Sequence, residues 1–273
     1  MSERPGRSLL AFFGLTFLVT WTCFIAVVRW GGFPEGSGPR HGLHLLVLLG
    51  TFAPSLVALA LTARAAGSAG VRAILGRLIA WQVSGRWYLF AVGYWVGIKL
   101  SVALVYRLVA GAWPRFSDES WIVMAAATVF STMVGGQAGE EIGWRGYALP
   151  RLAARWGLGG ASILLGVIWA SWHLPLFYVP GIDTYGQSFP MYLLQVTALS
   201  VAIAWLYWRT QGSLLLTMLM HAAINNTNLV PPGAKVPGNP LGMSHSLAAW
   251  LTLALLWIPA AYFLVRMRGS TGR

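Results

Sequence analysis

Gly139-Glu140-Glu141-Ile142-Gly143-Trp144-Arg145-Gly146 decides how this chain is read. Two adjacent carboxylates and an arginine close a long apolar run. The chain has 7 acidic residues among 273. Glu3 lies in the N-terminal tail, and Glu35, Asp118, Glu119 and Asp183 lie in polar connections between apolar segments. Only Glu140 and Glu141 fall where the pattern predicts a membrane helix. An ionisable side chain in a bilayer costs several kcal/mol on most scales, so it marks function by default.

Working outward, hydrophobic residues make up 57% of the chain and charged residues 10%. Apolar runs of roughly 20 residues, the length that crosses a bilayer core as a helix, point to an all-α polytopic membrane protein. The formal net charge of +12 is assigned to arginine-rich cytoplasmic loops facing anionic lipid, not to nucleic acid. The single Cys23 excludes an intramolecular disulfide and any multi-cysteine metal site. Arg4 and Arg7 precede an apolar run at 8–28 that is too long for a secretory core and lacks a cleavage pattern, so a retained first helix is expected.

The runs predict about eight transmembrane helices, at 8–28, 43–62, 87–106, 121–142, 160–179, 189–208, 213–229 and 246–265. They form a single transmembrane domain over 1–273, punctuated by Gly31-Gly32-Phe33-Pro34 and Pro231-Pro232-Gly233. With the N-terminus inside, Arg4, Arg7, Arg64, Arg72, Arg77, Arg86, Arg145, Arg151, Arg155, Arg209, Arg266, Arg268 and Arg273 all fall on the cytoplasmic side. Arg29, Arg40, Arg107, Arg115 and Lys235 fall outside, and Lys99 lies within the third helix. Both termini are therefore expected in the cytoplasm. Segment 64–86, with Val71, Ile74, Leu75, Leu78 and Ile79 on one face, is expected to lie along the interface. Tyr147, Leu149, Leu152, Arg151 and Arg155, around Pro150, are expected to do the same. Lys99 is expected to snorkel outward or to bind a carbonyl.

Glu141 and Arg145 are four apart and share a helical face, whereas Glu140 points about 100° away. One carboxylate can therefore be neutralised while the other is left for chemistry. Gly135, Gly136, Gly139 and Gly143 strip side chains from the same region, allowing close helix contact or room for a substrate. Trp169-Ala170-Ser171-Trp172-His173-Leu174-Pro175 places Trp169 and His173 one turn apart, with Pro175 expected to kink the helix. His221-Ala222-Ala223-Ile224-Asn225-Asn226 repeats the four-residue spacing. A lone membrane histidine or asparagine more often ties helices together, and a Glu–Arg pair is more often structural. Here all the intramembrane acids, two histidines and an asparagine fall on three helices. Peptide hydrolysis needs such a set: a base for water and donors for an oxyanion.

These residues resemble the CPBP intramembrane proteases, also called the Abi or CAAX prenyl protease 2 family. Its motifs E-E-x-x-x-R, F-x-x-x-H and H-x-x-x-N match Glu140-Glu141-Ile142-Gly143-Trp144-Arg145, Trp169-Ala170-Ser171-Trp172-His173 and His221-Ala222-Ala223-Ile224-Asn225. Trp169 stands where the family usually has Phe. The resemblance covers about 120–230. It implies a fold of eight helices enclosing a conical, cytoplasm-facing catalytic cavity, and an intramembrane endopeptidase acting on membrane-associated peptides or proteins. In it, Glu140 assisted by His173 activates water, His221 and Asn225 stabilise the oxyanion, and Glu141 with Arg145 holds the first motif helix. The competing chemistry is zinc: Glu140 or Glu141 with His173 and His221 would form a His₂Glu site. No H-E-x-x-H is present, and the resemblance favours a metal-free glutamate mechanism without cofactor. A transporter or proton relay would also use intramembrane acids, and a non-catalytic immunity scaffold would use the motifs as ties. No inverted repeat supports transport. The Arg-, Ala- and Gly-rich composition suggests a bacterial chain in the plasma membrane.

Overall fold

The computed structural model describes residues 5–227, 229–231, 235–236 and 238–268, with the backbone alone at 5–7 and 133. Glu3, Arg4, Pro232, Gly233 and Arg273 lie outside the described residues. Helices follow the apolar runs: α1 Pro5–Arg29, α2 His41–Leu75, α3 Gly85–Ala110, α4 Trp121–Val134, α5 Gly136–Glu141, α6 Leu149–Trp172, α7 Phe189–Arg209, α8 Leu214–Asn226 and α9 Leu247–Arg266. The only β pairing among the described residues is an isolated bridge, Gln187–Lys235. Serine starts four of the later helices. The side-chain oxygens of Ser120, Ser188, Ser213 and Ser246 accept first-turn amides of α4, α7, α8 and α9, satisfying donors that a helix start otherwise leaves orphaned.

Six helical segments are long and apolar enough to cross a membrane, and Trp121–Thr132 and Leu214–Asn226 are shorter apolar helices. Each of the eight expected runs thus falls on helix. Many large apolar side chains along them, such as Leu10, Leu108, Phe130 and Ile258, are exposed. In water such a surface would be an aggregation hazard; in a bilayer it is the lipid-facing belt. Backbone groups are satisfied within the helices, as a bilayer core demands. The chain is a multi-pass membrane protein.

Three local expectations change. The fourth run is broken at Gly135, whose backbone is extended, so that α4 ends and α5 restarts at a new angle. Asn226 of α8 secures the break by donating to the Ser131 hydroxyl at 2.7 Å. Tyr147, Leu149 and Leu152 do not lie at an interface; all three are buried. They enter the core through a π-helical stretch, Ile142–Ala148, which runs into α6, with Pro150 in its first turn. Pro175 ends α6 rather than kinking it: the helix stops at Trp172, and Leu174–Tyr178 is a 3₁₀ turn, because proline cannot supply the amide the next turn requires. Segment 64–86 is partly helix: α2 bends at Gly67, which has φ of 60°, and runs on to Leu75.

The core joins α1, the π stretch and α6 through aromatic rings. Phe12 meets Trp144 at 5.6 Å, Trp144 meets Trp172 at 5.9 Å, and Phe24 meets Trp172 at 5.7 Å. The Trp172 indole donates to Thr20 Oγ1 at 2.8 Å, and that hydroxyl donates to the Gly50 carbonyl at 2.8 Å. Close approach of α5 and the π stretch to α2 requires glycine. A Cβ on Gly139 would lie 2.9 Å from the Phe52 ring, and one on Gly143 would lie 2.6 Å from the Pro54 backbone. Of the two uses expected for these glycines, close helix contact is the one realised. Gly143→Ala should therefore destabilise the protein by about 1–3 kcal/mol, the usual scale of overpacking. The thermal midpoint in detergent should fall, while Gly14→Ala, where nothing lies within 4 Å, should leave it unchanged or raised.

Candidate active site

The short helix α5 presents Glu140 and Glu141 side by side, and both are buried. Their partners differ, as the helical geometry requires. Arg145 donates to Glu141 Oε1 at 2.7 Å, and both side chains are 0% exposed. The pair survives the change from α to π geometry because the two residues straddle its start.

His221 of α8 joins the same oxygen, with Nδ1 3.0 Å from Glu141 Oε1. A carboxylate can only accept, so Nδ1–H is the donor. His221 thus stands with Glu141, not with Glu140, which sequence spacing could not reveal. Its Nε2 donates to anything else only when the ring carries both protons, with Glu141 as counter-ion.

Glu140 turns to the second motif. The Trp169 indole donates to Glu140 Oε2 at 2.6 Å, inside the protein. Sequence reading gave Trp169 the role of an aromatic wall, and here its N–H also fixes a carboxylate. Its ring faces three ways at once: the Arg145 guanidinium lies 4.2 Å above it, and the His221 and His173 rings meet it edge-on at 5.1 and 5.9 Å. Cation–π contacts of a desolvated arginine can contribute about 2 kcal/mol.

His173 caps the end of α6, half-buried, and its Nδ1 lies 2.9 Å from the Trp169 carbonyl. The carbonyl accepts, so Nδ1–H donates and Nε2 keeps a lone pair. Trp172 and Tyr192 pack edge-on against the ring at 4.6 and 5.5 Å and fix its orientation.

A cavity of about 210 Å³ is lined by Trp169, His173, His221 and Asn225 together with Trp95, Lys99, Thr184, Gln187, Tyr192, Gln195, Val196, Leu199 and Ile224. The structure thus brings four of the expected site residues to one wall. Glu140 is not on that wall; it sits behind the Trp169 indole. Lys99 does not snorkel outward. It is 1% exposed and donates to the Val230 carbonyl at 2.9 Å, over the Trp95 ring. Its place on the cavity was invisible in the sequence, since nothing there pairs α3 with α8.

Among the described residues, no three His, Cys, Asp or Glu side chains are grouped so as to hold a metal ion. The donors of the proposed zinc site are divided instead: Glu140 to Trp169, Glu141 and His221 to each other. This arrangement does not fit a His₂Glu zinc site.

A helical membrane protein with imidazoles and an amide lining a cavity, and buried carboxylates beside it, has the layout of an intramembrane hydrolase. Residues 118–227, which contain all three motifs, match the family of Rce1-like type II CAAX prenyl endopeptidases. The CAAX prenyl protease 2 of Methanococcus maripaludis is 25% identical over 229 residues, covering 78% of this chain and 81% of that protein. The motif-bearing segment is similar to the Rce1-like endopeptidases, and the chain is a membrane endopeptidase, as the motifs led us to expect.

Replacing Glu141 with Gln leaves Arg145 buried without its partner charge. Glu141→Gln should destabilise the protein by about 3–5 kcal/mol. A Glu141→Gln/Arg145→Met double variant should recover much of that loss in a denaturation series.

Proposed function

We propose that this chain cuts peptide bonds of peptides or proteins held at the membrane, with a water molecule activated by Glu140 and no bound metal. The observation that carries the reading is the paired supply of acceptors and donors. Trp169 occupies Glu140 Oε2 alone, so Oε1 is available to a water. His173 keeps Nε2 as an acceptor because Nδ1–H is spent on a carbonyl. The two would draw a proton from the attacking water, which adds to the scissile carbonyl. Asn225, which lines the cavity, and His221 would donate to the resulting oxyanion. The proton then passes to the leaving amine as the C–N bond breaks. Glu141 holds the His221 ring and supplies its counter-ion, and Arg145 holds Glu141 in place. Trp169 must give way slightly for water to reach Glu140 from the cavity.

The relative is named for a CAAX prenyl substrate; for this chain we propose a membrane-associated peptide without commitment to a prenyl group. We place it in the plasma membrane of a bacterium with both termini cytoplasmic, on the strength of the arginine distribution. That placement bears on the cavity. Its rim residues Thr184 and Gln187 belong to the connection between the 3₁₀ turn and α7, next to the C-terminal ends of α6 and α8. The arginine-rich connections lie at the opposite ends of those helices. With the termini inside, the cavity rim faces outward, and the cytoplasm-facing cavity that the family resemblance implied gives way. Cysteine placed at Tyr185, which is 46% exposed in the same connection, should then react with a membrane-impermeant thiol reagent in intact cells. Labelling only after permeabilisation would reverse the orientation.

For the chemistry, Glu140→Gln and His173→Ala should each lower turnover by at least about 10²-fold, and Asn225→Ala by about 10²–10³-fold, with unchanged thermal midpoints. Trp169→Phe keeps the ring and removes the N–H; it should lower kcat more than it raises KM. The measurement is new termini in membrane proteomes incubated with the reconstituted variants. Wild-type cleavage by Glu140→Gln would reject the mechanism, and stoichiometric zinc required for turnover would reject the metal-free reading.

A further inference from the structure

Lys99 is the cation that the proposed chemistry leaves unused. It is buried, it lines the cavity with His173, His221 and Asn225, and among the described residues its Nζ makes one hydrogen bond, to the Val230 carbonyl at 2.9 Å. Among the described residues no carboxylate lies within ion-pair distance of it. Arg145, by contrast, is held by Glu141. An ammonium has three protons to donate and a strong hydration shell to replace. One carbonyl and an aromatic face, with Trp95 at 4.6 Å, leave it under-coordinated for a site at this depth.

A second donor stands beside it without a partner. Trp95 lies one turn before Lys99 on α3, lines the same cavity, and has a buried indole N–H that no described residue accepts. Thr184 lines the same cavity, and its Oγ1 is likewise buried and unpartnered among the described residues. Orphaned buried donors that line one cavity with a cation define a place for an acceptor that the protein itself does not supply. A carboxylate suits that place: two oxygens, acceptor only, and the charge that Lys99 lacks.

The geometry points to Lys99, with Trp95 beside it, as the anchor for the free C-terminal carboxylate of a peptide substrate. The inference rests on reading the cavity as the peptide site. A volume of about 210 Å³ is smaller than the ~300–1,000 Å³ of most small-molecule sites, so it admits a short end of extended chain rather than a long internal run. The alternative source of the same chemistry is an Asp or Glu side chain within a longer peptide. A C-terminal anchor turns the enzyme into a ruler: the bond cut is the one that reaches Glu140 and His173 while the chain end is held at Lys99. Lys99 is in this sense a specificity-determining residue and takes no part in bond breaking.

The test is equilibrium binding, which does not depend on turnover. Full-length Glu140→Gln protein in lipid nanodiscs is titrated with dansyl-Gly-Leu-Leu as free acid, with the same peptide as C-terminal amide, and with dansyl-Asp-Leu-Leu amide. The free acid should bind at least about tenfold more tightly than either amide, the scale of a charge-assisted hydrogen bond. Adding Lys99→Met should bring acid and amide within about twofold of each other, and Trp95→Phe should narrow the ratio partway. Equal binding of acid and amide, a preference that survives Lys99→Met, or no binding of any peptide would overturn the anchor. The Asp amide matching the free acid would overturn the C-terminal assignment in favour of an internal acidic residue. If Lys99→Met fails to fold, the acid-to-amide ratio of the parent protein and the Trp95→Phe result decide alone. Cleavage of membrane peptides by the wild type is scored separately, so a lost acid preference with turnover intact rejects the anchor and spares the protease.

Discussion

One oxygen, Oε1 of Glu141, accepts from both Arg145 at 2.7 Å and His221 at 3.0 Å. Taking a carboxylate and a guanidinium out of water costs several kcal/mol per ion, and their attraction repays it only with good geometry. Here the geometry is supplied from three directions. α5 delivers the carboxylate, the π stretch delivers the arginine, and α8 delivers the imidazole. Gly139 and Gly143 let the first two press against α2, and the Trp169 ring covers the guanidinium. The cluster is incompletely satisfied: Glu141 Oε2 and Arg145 Nε and Nη2 are buried without partners among the described residues. Such a site depends on surrounding packing as well as on its own ion pair, so the aromatic core of Phe12, Trp144 and Trp172 helps to hold the motif residues in place.

Much of this was legible in the sequence. Apolar runs set the helices because a bilayer admits few alternatives, and the four-residue spacing of Glu141 and Arg145 foretold their pairing. The two adjacent glutamates were correctly read as pointing to different neighbours. What failed was anything that depends on contacts between distant segments. The break at Gly135 lies within an unbroken apolar run, and only the Asn226–Ser131 bond explains why it holds. Tyr147, Leu149 and Leu152 carry an amphipathic pattern whose arginines suggested an interface. The pattern could not show that α1 and α2 cover the apolar face.

The π-helical stretch Ile142–Ala148 belongs to the same class of unforeseen detail. Widening the turn moves each later residue around the axis relative to an α-helix. Glu141 and Arg145 sit at the beginning, where little displacement has accumulated, while Tyr147 and Leu149 come after it. The widened turn thus leaves the ion pair intact and rotates the following residues from the interface into the core. A periodicity argument at a fixed 3.6 residues per turn carries this error wherever such a turn intervenes.

Buried charge also separates the ion-pair cluster from the cavity. Arg145 has an internal counter-ion and is fixed whether or not anything is bound. Among the described residues, Lys99 has a carbonyl, an aromatic face and no acid within ion-pair distance. If its role were only to tie α3 to the loop after α8, a neutral donor would serve without the penalty of burying an ammonium. A lysine is favoured over that donor only if the missing negative charge arrives from outside the chain. The same reasoning applies to the Trp95 indole, whose N–H adds nothing to packing that a phenylalanine would lack. The two unmet demands lie one helical turn apart on α3 and share one cavity with the imidazoles. Their joint solution is a substrate that brings its own carboxylate.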